Sequence, residues 1–270
     1  MCFDHDARPP DLPFPMAGGA ADGRAVHLEA EDGNRFRAYA AVPTGGPRQD
    51  ALAIPASTGI VVIPDIRGLV PYYEELALRF AEAGIHAVAV DLYARTAGTD
   101  ERGPDFDGRE HAGRTTQAGI AADVAAATRF LRSEATGAQG ALFTVGFCFG
   151  GRASLLQGIE SHGLAGVIGF YGWPVGASRN GSSAPADVAN RFRCPVLALY
   201  GGADEGIPSH AIEAFDTELT RAGVEHESVV YPGAPHSFFD RKQEEHAEAS
   251  ADAWRRMLSF VARHAGPRRA

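Results

Sequence analysis

Cysteine is scarce in this chain of 270 residues, which contains only Cys2, Cys148 and Cys194. Three thiols so far apart do not make a disulfide framework, and no two of them stand at the spacing of metal ligands. Each cysteine therefore has to be interpreted singly. We expect no metal site and no organic cofactor, and we interpret Cys2 and Cys194 as small apolar residues.

Long apolar segments and an excess of positive charge are also missing. No run approaches the roughly 18 apolar residues of a membrane-spanning helix, and residues 1–24 lack the basic start and apolar stretch of a secretory signal. The net charge of -9 gives no general attraction to nucleic acid or to an anionic membrane. We therefore expect a cytoplasmic protein without a nucleic-acid or membrane partner, whose residues 1–24 form an irregular arm.

What the sequence does contain is a regular alternation of strand-like and helix-like segments. Residues 26–43 form two alternating runs around an Asp-Gly-Asn turn, which predicts a β hairpin. Strands are then predicted at 59–64, 85–91, 141–147, 164–172, 195–204 and 226–233, and helices at 72–84, 119–134, 151–162, 209–222 and 243–264. This order indicates an α/β fold, with a mostly parallel sheet covered by helices on both faces, in a single domain over residues 25–265.

The stretch "FTVGFCFGGR", residues 143–152, places a cysteine between two glycines where a strand meets a helix. Gly146, Cys148 and Gly150 have the spacing of a nucleophile elbow, in which glycines avoid collisions around a strained turn. The following helix begins at the thiol, and its unpaired amides favour a thiolate. Cys148 is therefore the candidate nucleophile.

A thiolate needs a base to move protons, and the base needs an acid to orient it. His236 follows the last predicted strand, and Asp204 follows the strand before it. Ligands in such sheets bind at the carboxyl ends of the parallel strands, where both residues are expected. The chain order of nucleophile, acid and histidine is that of the α/β-hydrolases, so we predict that fold and a catalytic triad of Cys148, Asp204 and His236.

With these motifs the sequence resembles the dienelactone hydrolase family, cysteine-dependent α/β-hydrolases that open cyclic enol esters. The matching segments run in family order from about Gly59 to Arg241 and are "VVIPDIRGLVPYYEELALRFAEAGIHAVAVDLYART", "FTVGFCFGGRAS", "VIGFYG", "LALYGGADEGIP" and "YPGAPHSFFDR". The resemblance implies Cys148 as nucleophile, with Asp204 and His236 as its partners. It also implies an oxyanion hole formed by the backbone amides of Ile66 and Phe149.

The resemblance further implies residues for binding the substrate. In the best-known branch a glutamate at the position of Asp65 engages the resting thiol, and two arginines hold a substrate carboxylate. Asp65 is one methylene shorter, so we expect it to pair with Arg67 or Arg95 instead. Arg95 stands where the first arginine is expected, and Arg241, next to Asp240, is the candidate for the second.

The expected pocket walls are Tyr93, Tyr171, Trp173 and Phe238. On this hypothesis the protein is a hydrolase of a small carboxylic ester or lactone, acts through an acyl-enzyme, and is a monomer or homodimer. Two other interpretations stay open. One is a non-catalytic protein that binds a small ligand in the same cleft, and the other is a redox sensor that uses the Cys148 thiol.

Overall fold

The structure, a computed structural model, describes residues 7–11, 21–45 and 54–266. Its strands are β1 (Ala21–Glu29), β2 (Arg35–Pro43), β3 (Gly59–Ile63), β4 (His86–Val90), β5 (Leu142–Phe147), β6 (Gly166–Phe170), β7 (Val196–Gly201) and β8 (His226–Tyr231). Its helices are α1 (Pro71–Glu82), α2 (Ala94–Ala97), α3 (Gly108–Arg114), α4 (Gln117–Leu131), α5 (Phe149–Gln157), α6 (Ser209–Ala222) and α7 (Ala247–Ala265), with a 3₁₀ turn at Ala186–Arg191.

The eight strands form one mixed sheet in the spatial order β1-β2-β4-β3-β5-β6-β7-β8. The hairpin strand β2 pairs antiparallel with both β1 and β4, and every pairing from β4 onward through β8 is parallel. The predicted α/β fold with an N-terminal hairpin is therefore confirmed. Among the helices within the described ranges, none is long and apolar enough to cross a membrane.

The element boundaries differ from prediction by more than three residues in three places. Strand β1 begins at Ala21, because β2 continues to Pro43 and pairs with it, so residues 21–24 belong to the sheet rather than to the expected arm. Residues 1–6 and 12–20 of that arm lie outside the described residues. Helix α5 starts at Phe149 and stops at Gln157, where Gly158 packs closely against Phe192, and α7 starts at Ala247 because residues 241–246 form turns.

Both faces of the sheet are covered. Alternate residues of a strand point to opposite faces, and every residue of β3, β5, β6 and β7 is buried. On one face α1 and α7 meet through Phe80 and Trp254, whose rings are 4.9 Å apart and perpendicular. Trp254 also contacts Phe239, in the segment that follows β8, at 6.0 Å. The core thus extends to the loops at the carboxyl edge of the sheet.

Six strands with the same direction bring their following loops to one edge. These loops begin at Pro64 after β3, Asp91 after β4, Cys148 after β5, Tyr171 after β6, Gly202 after β7 and Pro232 after β8. Residues separated widely in sequence therefore become neighbours at this edge.

Candidate active site

Cys148 occupies a strained turn between β5 and α5. Its backbone angles are φ 55° and ψ -116°, a region that residues with a side chain rarely adopt. Such a conformation costs about 1–3 kcal/mol and persists only where the surroundings enforce it. Here the Cys148 amide donates to the Phe170 carbonyl at 3.0 Å, and the Cys148 carbonyl accepts from the Gly151 amide at 3.0 Å.

Two glycines allow the backbone to pass close by on each side of this turn. A Cβ on Gly146 would lie 2.0 Å from the carbonyl oxygen of Gly150, and a Cβ on Gly150 would lie 2.0 Å from that of Pro64. Real Cβ atoms do not approach this closely. The glycines therefore permit the contact between α5 and the ends of β3 and β5 that lifts Cys148 to the edge of the sheet.

His236 and Asp204 are joined by a short hydrogen bond. The Nδ1 atom of His236 lies 2.6 Å from Oδ2 of Asp204, whose other oxygen accepts from the Gly206 amide at 2.9 Å. The rings of Tyr171 and Trp173 each lie 4.9 Å from the imidazole. The acid and the two aromatic rings together fix the orientation of the histidine.

The surroundings of His236 favour its charged form. Burial alone lowers its pKa, but the hydrogen bond to Asp204 and the nearby Cys148 sulfur raise the pKa to about 10. Among the described residues, the buried Nε2 atom has no partner in good hydrogen-bonding geometry. The sulfur is thus near enough to affect the imidazole without meeting the geometry of a hydrogen bond, as is common for catalytic pairs without substrate.

Cys148 and His236 open into a cavity of about 430 Å³. Its apolar lining includes Ile66, Phe149 and Trp173, and its charged lining consists of Arg109, Arg152, Arg179 and Arg241. No aspartate or glutamate of the described chain lines it. Although the protein as a whole carries a net charge of -9, the described lining of this cavity is electropositive.

Ile66 and Phe149, the expected oxyanion donors, both line the cavity that contains Cys148. Phe149 is the first residue of α5, where helix amides have no partner within the helix. The Ile66 carbonyl accepts from the Tyr93 hydroxyl at 3.0 Å, and a Cβ on Gly108 would lie 1.8 Å from the same oxygen. These contacts hold the backbone of Ile66 at the cavity edge.

Two of the predicted substrate-binding residues are engaged elsewhere. Arg95 forms ion pairs with Asp32 at 2.5 Å and with Asp123 at 2.7 Å, and it does not line the cavity. Asp65 is fully buried and pairs with Arg67 at 2.9 Å. The expected role of Arg95 in substrate binding is thereby corrected, because Asp32 and Asp123, which are distant from it in sequence, hold its guanidinium. Asp65 pairs with Arg67, one of the two partners expected for its shorter side chain.

Of the four aromatic residues predicted as pocket walls, one lines the cavity and three do not. Trp173 lines the cavity, whereas Tyr93, Tyr171 and Phe238 are buried behind it. Tyr171 still contacts the imidazole, and Tyr93 acts on Ile66, so both support the site without forming its wall. Arg241 does line the cavity, and its Nη2 atom donates to Ser237 Oγ at 2.6 Å.

Three of the four arginines that line the cavity were not predicted from the sequence. Arg109 comes from α3, and Arg179 comes from the segment between β6 and the 3₁₀ turn, and the sequence predicted no helix or strand at either position. Arg152 follows the elbow directly, and its guanidinium donates to the carbonyls of Gly176 and Ser182 at 2.9 Å each. The one sequence signal for Arg152 is its position in "FCFGGR", about one helical turn after the nucleophile.

Comparison with known proteins points to one family. The model of the "Dienelactone hydrolase family" matches residues 37–265. A "Putative carboxymethylenebutenolidase" of Methylorubrum extorquens is 32% identical over 226 residues, which cover 79% of this chain and 78% of that protein. A protein of the same name in Salmonella typhimurium is 30% identical over 94% of this chain and 97% of its own length. The crystal structure titled "Putative Dienelactone Hydrolase", from Klebsiella pneumoniae, has a TM-score of 0.76 and 28% identity, covering 90% of this chain and 99% of that one.

The strain at Cys148 leads to a first prediction. Glycine tolerates φ 55°, so Cys148→Gly should be more stable to urea than Cys148→Ala by about 1 kcal/mol. The relief of backbone strain is expected to exceed the additional conformational entropy that glycine loses on folding. In Ala153→Gly, within α5, the free energy of unfolding should instead fall by about 1 kcal/mol. An alanine variant at position 148 as stable as the glycine variant would show that the turn is not strained.

The charge on His236 leads to a second prediction. Cys148 contributes to the raised pKa of His236, so Cys148→Ala should lower that pKa from its value of about 10 in the unmodified protein. Titration of the ¹⁵N-labelled imidazole by NMR measures the shift, with His236→Gln identifying the signal. An identical titration curve in both proteins would contradict any electrostatic link between sulfur and imidazole.

Proposed function

The chain belongs to the dienelactone hydrolase family, and from that premise we propose that it hydrolyses a carboxylic ester or lactone through a cysteine acyl-enzyme. The observation that carries the proposal is the position of His236. Its Nδ1 is fixed by Asp204, and the Cys148 sulfur, which opens into the same electropositive cavity, is near enough to raise its pKa. A thiolate beside an imidazolium is the charge state that attacks an ester carbonyl.

In the first half of the reaction the Cys148 thiolate forms a bond to the carbonyl carbon of the substrate. The carbonyl oxygen becomes negative and is stabilised by the amides of Ile66 and Phe149, which act mainly on this developing charge. The carbon–oxygen bond to the leaving group then breaks, and the leaving oxygen takes a proton from Nε2 of His236. The product is a thioester on Cys148, and in a lactone the leaving alcohol or enol stays attached to it.

In the second half His236 acts as a base. Acylation removes the charge of the sulfur, which is one of the causes of the raised pKa of His236. The neutral imidazole takes a proton from water, the hydroxide adds to the thioester, and the carbon–sulfur bond breaks. The acid product leaves, and the thiolate and imidazolium are restored.

Asp65 has no part in these steps. Its carboxylate is occupied by Arg67, through Oδ1 at 3.1 Å and Oδ2 at 2.9 Å from Nε. The thiolate is therefore stabilised by His236 and by the N-terminus of α5, not by displacement of a neighbouring acid.

The cavity favours a substrate with a negative charge. Arg109, Arg179 and Arg241 line it from three different segments, with no carboxylate among the described lining residues. Guanidinium groups bind carboxylate and phosphate oxygens through paired hydrogen bonds. We infer that the acid side of the ester, or a substituent of the lactone ring, carries an anionic group.

The nucleophile is tested with p-nitrophenyl acetate. Cys148→Ala should abolish turnover, and Cys148→Ser should retain the fold but lose most activity, because the site stabilises a thiolate that serine does not supply. Cys194→Ala is the matched control and should leave the rate unchanged. Full activity of Cys148→Ala would overturn the proposal, and saturable ligand binding without product would favour the non-catalytic alternative.

The charge preference is tested with two p-nitrophenyl esters of equal length, the glutarate monoester, which is anionic, and the neutral valerate. Charge-assisted hydrogen bonds contribute about 1.5–3 kcal/mol, so Arg179→Gln should lower kcat/KM for the glutarate at least about tenfold. The valerate rate should stay within about twofold.

Arg114→Gln is the control for this comparison, because Arg114 lies on the exposed surface of α3 in an ion pair with Glu110 and does not line the cavity. It removes the same charge and should leave both esters unaffected. Equal losses for the two esters in Arg179→Gln would contradict an anionic substrate.

A further inference from the structure

A buried ionic cluster lies outside the cavity lining and has no part in the reaction steps above. Arg67 Nε pairs with both oxygens of Asp65, and Arg67 Nη2 lies 3.2 Å from Oδ2 of Asp240. Asp65 and Asp240 are fully buried, and Arg67 is 5% exposed. Burial raises the pKa of Asp65, Arg67 opposes the rise, and Asp240 adds to it.

Two tyrosine hydroxyls connect this cluster to the loops around it. Tyr73 OH accepts from the Asp65 amide at 3.0 Å and donates to Oδ2 of Asp240 at 3.3 Å. Tyr171 OH donates to Oδ1 of Asp240 at 2.7 Å. Asp240 therefore receives hydrogen bonds from Arg67, Tyr73 and Tyr171 at once.

The groups joined in this way come from three active-site loops. Asp65 and Arg67 flank Ile66, and Oδ1 of Asp65 accepts from the Arg67 amide at 2.9 Å, which closes a tight turn around the proposed oxyanion donor. Asp240 lies in the turn that begins at His236. Tyr171 follows β6, has φ 39°, and contacts the imidazole at 4.9 Å. One carboxylate thus links the oxyanion loop with the histidine loop.

Stability alone does not account for this cluster. Two carboxyl groups share one guanidinium in the interior, and apolar residues of similar size often stabilise a protein as well as or better than a buried ion pair. Apolar packing does not fix the orientation of a backbone segment. Hydrogen bonds do, because their energy depends on angle as well as on distance.

We propose that Asp240 is a positioning residue for the oxyanion hole, which holds the Asp65–Arg67 turn, and with it the Ile66 amide, at the distance that the transition state requires. The inference rests on the proposed acyl-enzyme mechanism. Asp240 contacts no reacting atom and acts through Arg67 and Tyr73. Its effect on the Ile66 amide therefore appears when charge develops on the substrate oxygen.

The test compares two reactions of the same thiol in Asp240→Asn, which keeps the size of the side chain and removes its charge. Ester hydrolysis uses the oxyanion hole, whereas alkylation of Cys148 by iodoacetamide does not. For p-nitrophenyl acetate, kcat should fall about 10- to 100-fold with KM within about twofold, somewhat less than the effect of deleting an oxyanion donor. The alkylation rate should stay within about twofold of the unmodified protein.

Asp91→Asn is the matched control. Asp91 follows β4, is equally buried, and forms a two-point ion pair with Arg102 at 3.1 and 2.6 Å, and within the described residues neither side chain forms a hydrogen bond to the Asp65–Arg67 turn. It should lose stability to urea as Asp240→Asn does, while the folded fraction keeps its kcat. Equal kcat values in the two variants, or parallel losses of hydrolysis and alkylation in Asp240→Asn, would overturn the proposal.

Tyr73→Phe provides a second variant without a change of charge, for use if Asp240→Asn does not fold. It removes the hydroxyl shared by the Asp65 amide and Asp240, and it should lower kcat in the same selective way. Unaltered kcat in a folded Tyr73→Phe would contradict the proposal. Failure of this proposal can be distinguished from failure of the proposed function. If Cys148 were not the nucleophile, Cys148→Ala would remain active whatever the effect of the variants at positions 73 and 240.

Discussion

The strained turn at Cys148 is the constraint on which the rest of the site depends. A side chain at φ 55° is unfavourable by itself, and it is held by hydrogen bonds to β6 and α5 and by backbone contacts that only glycine permits at positions 146 and 150. The same contacts bring the start of α5 against the end of β3. The nucleophile, the first amide of α5 and the Ile66 loop therefore come together as a consequence of one packing arrangement.

Charged side chains at the ends of the parallel strands show how this edge combines structure with chemistry. Asp65 after β3 and Asp91 after β4 are each paired with an arginine, while Asp204 after β7 is paired with His236. An arginine remains protonated under all ordinary conditions, so the first two pairs are fixed and serve the architecture. A histidine exchanges its proton, so only the third pair is suited to catalysis.

Much of the fold and part of the site follow from local sequence patterns. The buried runs of β3 and β5 and the "GFCFG" elbow are encoded by neighbouring residues, and so is the pairing of Asp65 with Arg67, two positions away. The misplaced role of Arg95 has the opposite origin. Its partners Asp32 and Asp123 come from the hairpin turn and from α4, and no local pattern announces such a long-range contact.

The cavity arginines illustrate the same limit. Arg109 lies in the short helix α3 and Arg179 in an irregular segment, and no local sequence pattern indicates that both line one cavity.

The central claim concerns the sulfur itself, and the intact mass of the protein tests it most directly. With p-nitrophenyl acetate and an acid quench within the first turnovers, the account predicts one added acetyl group, located on the peptide that contains Cys148. Rapid hydrolysis without any acetylated Cys148, at every quench time, would contradict it.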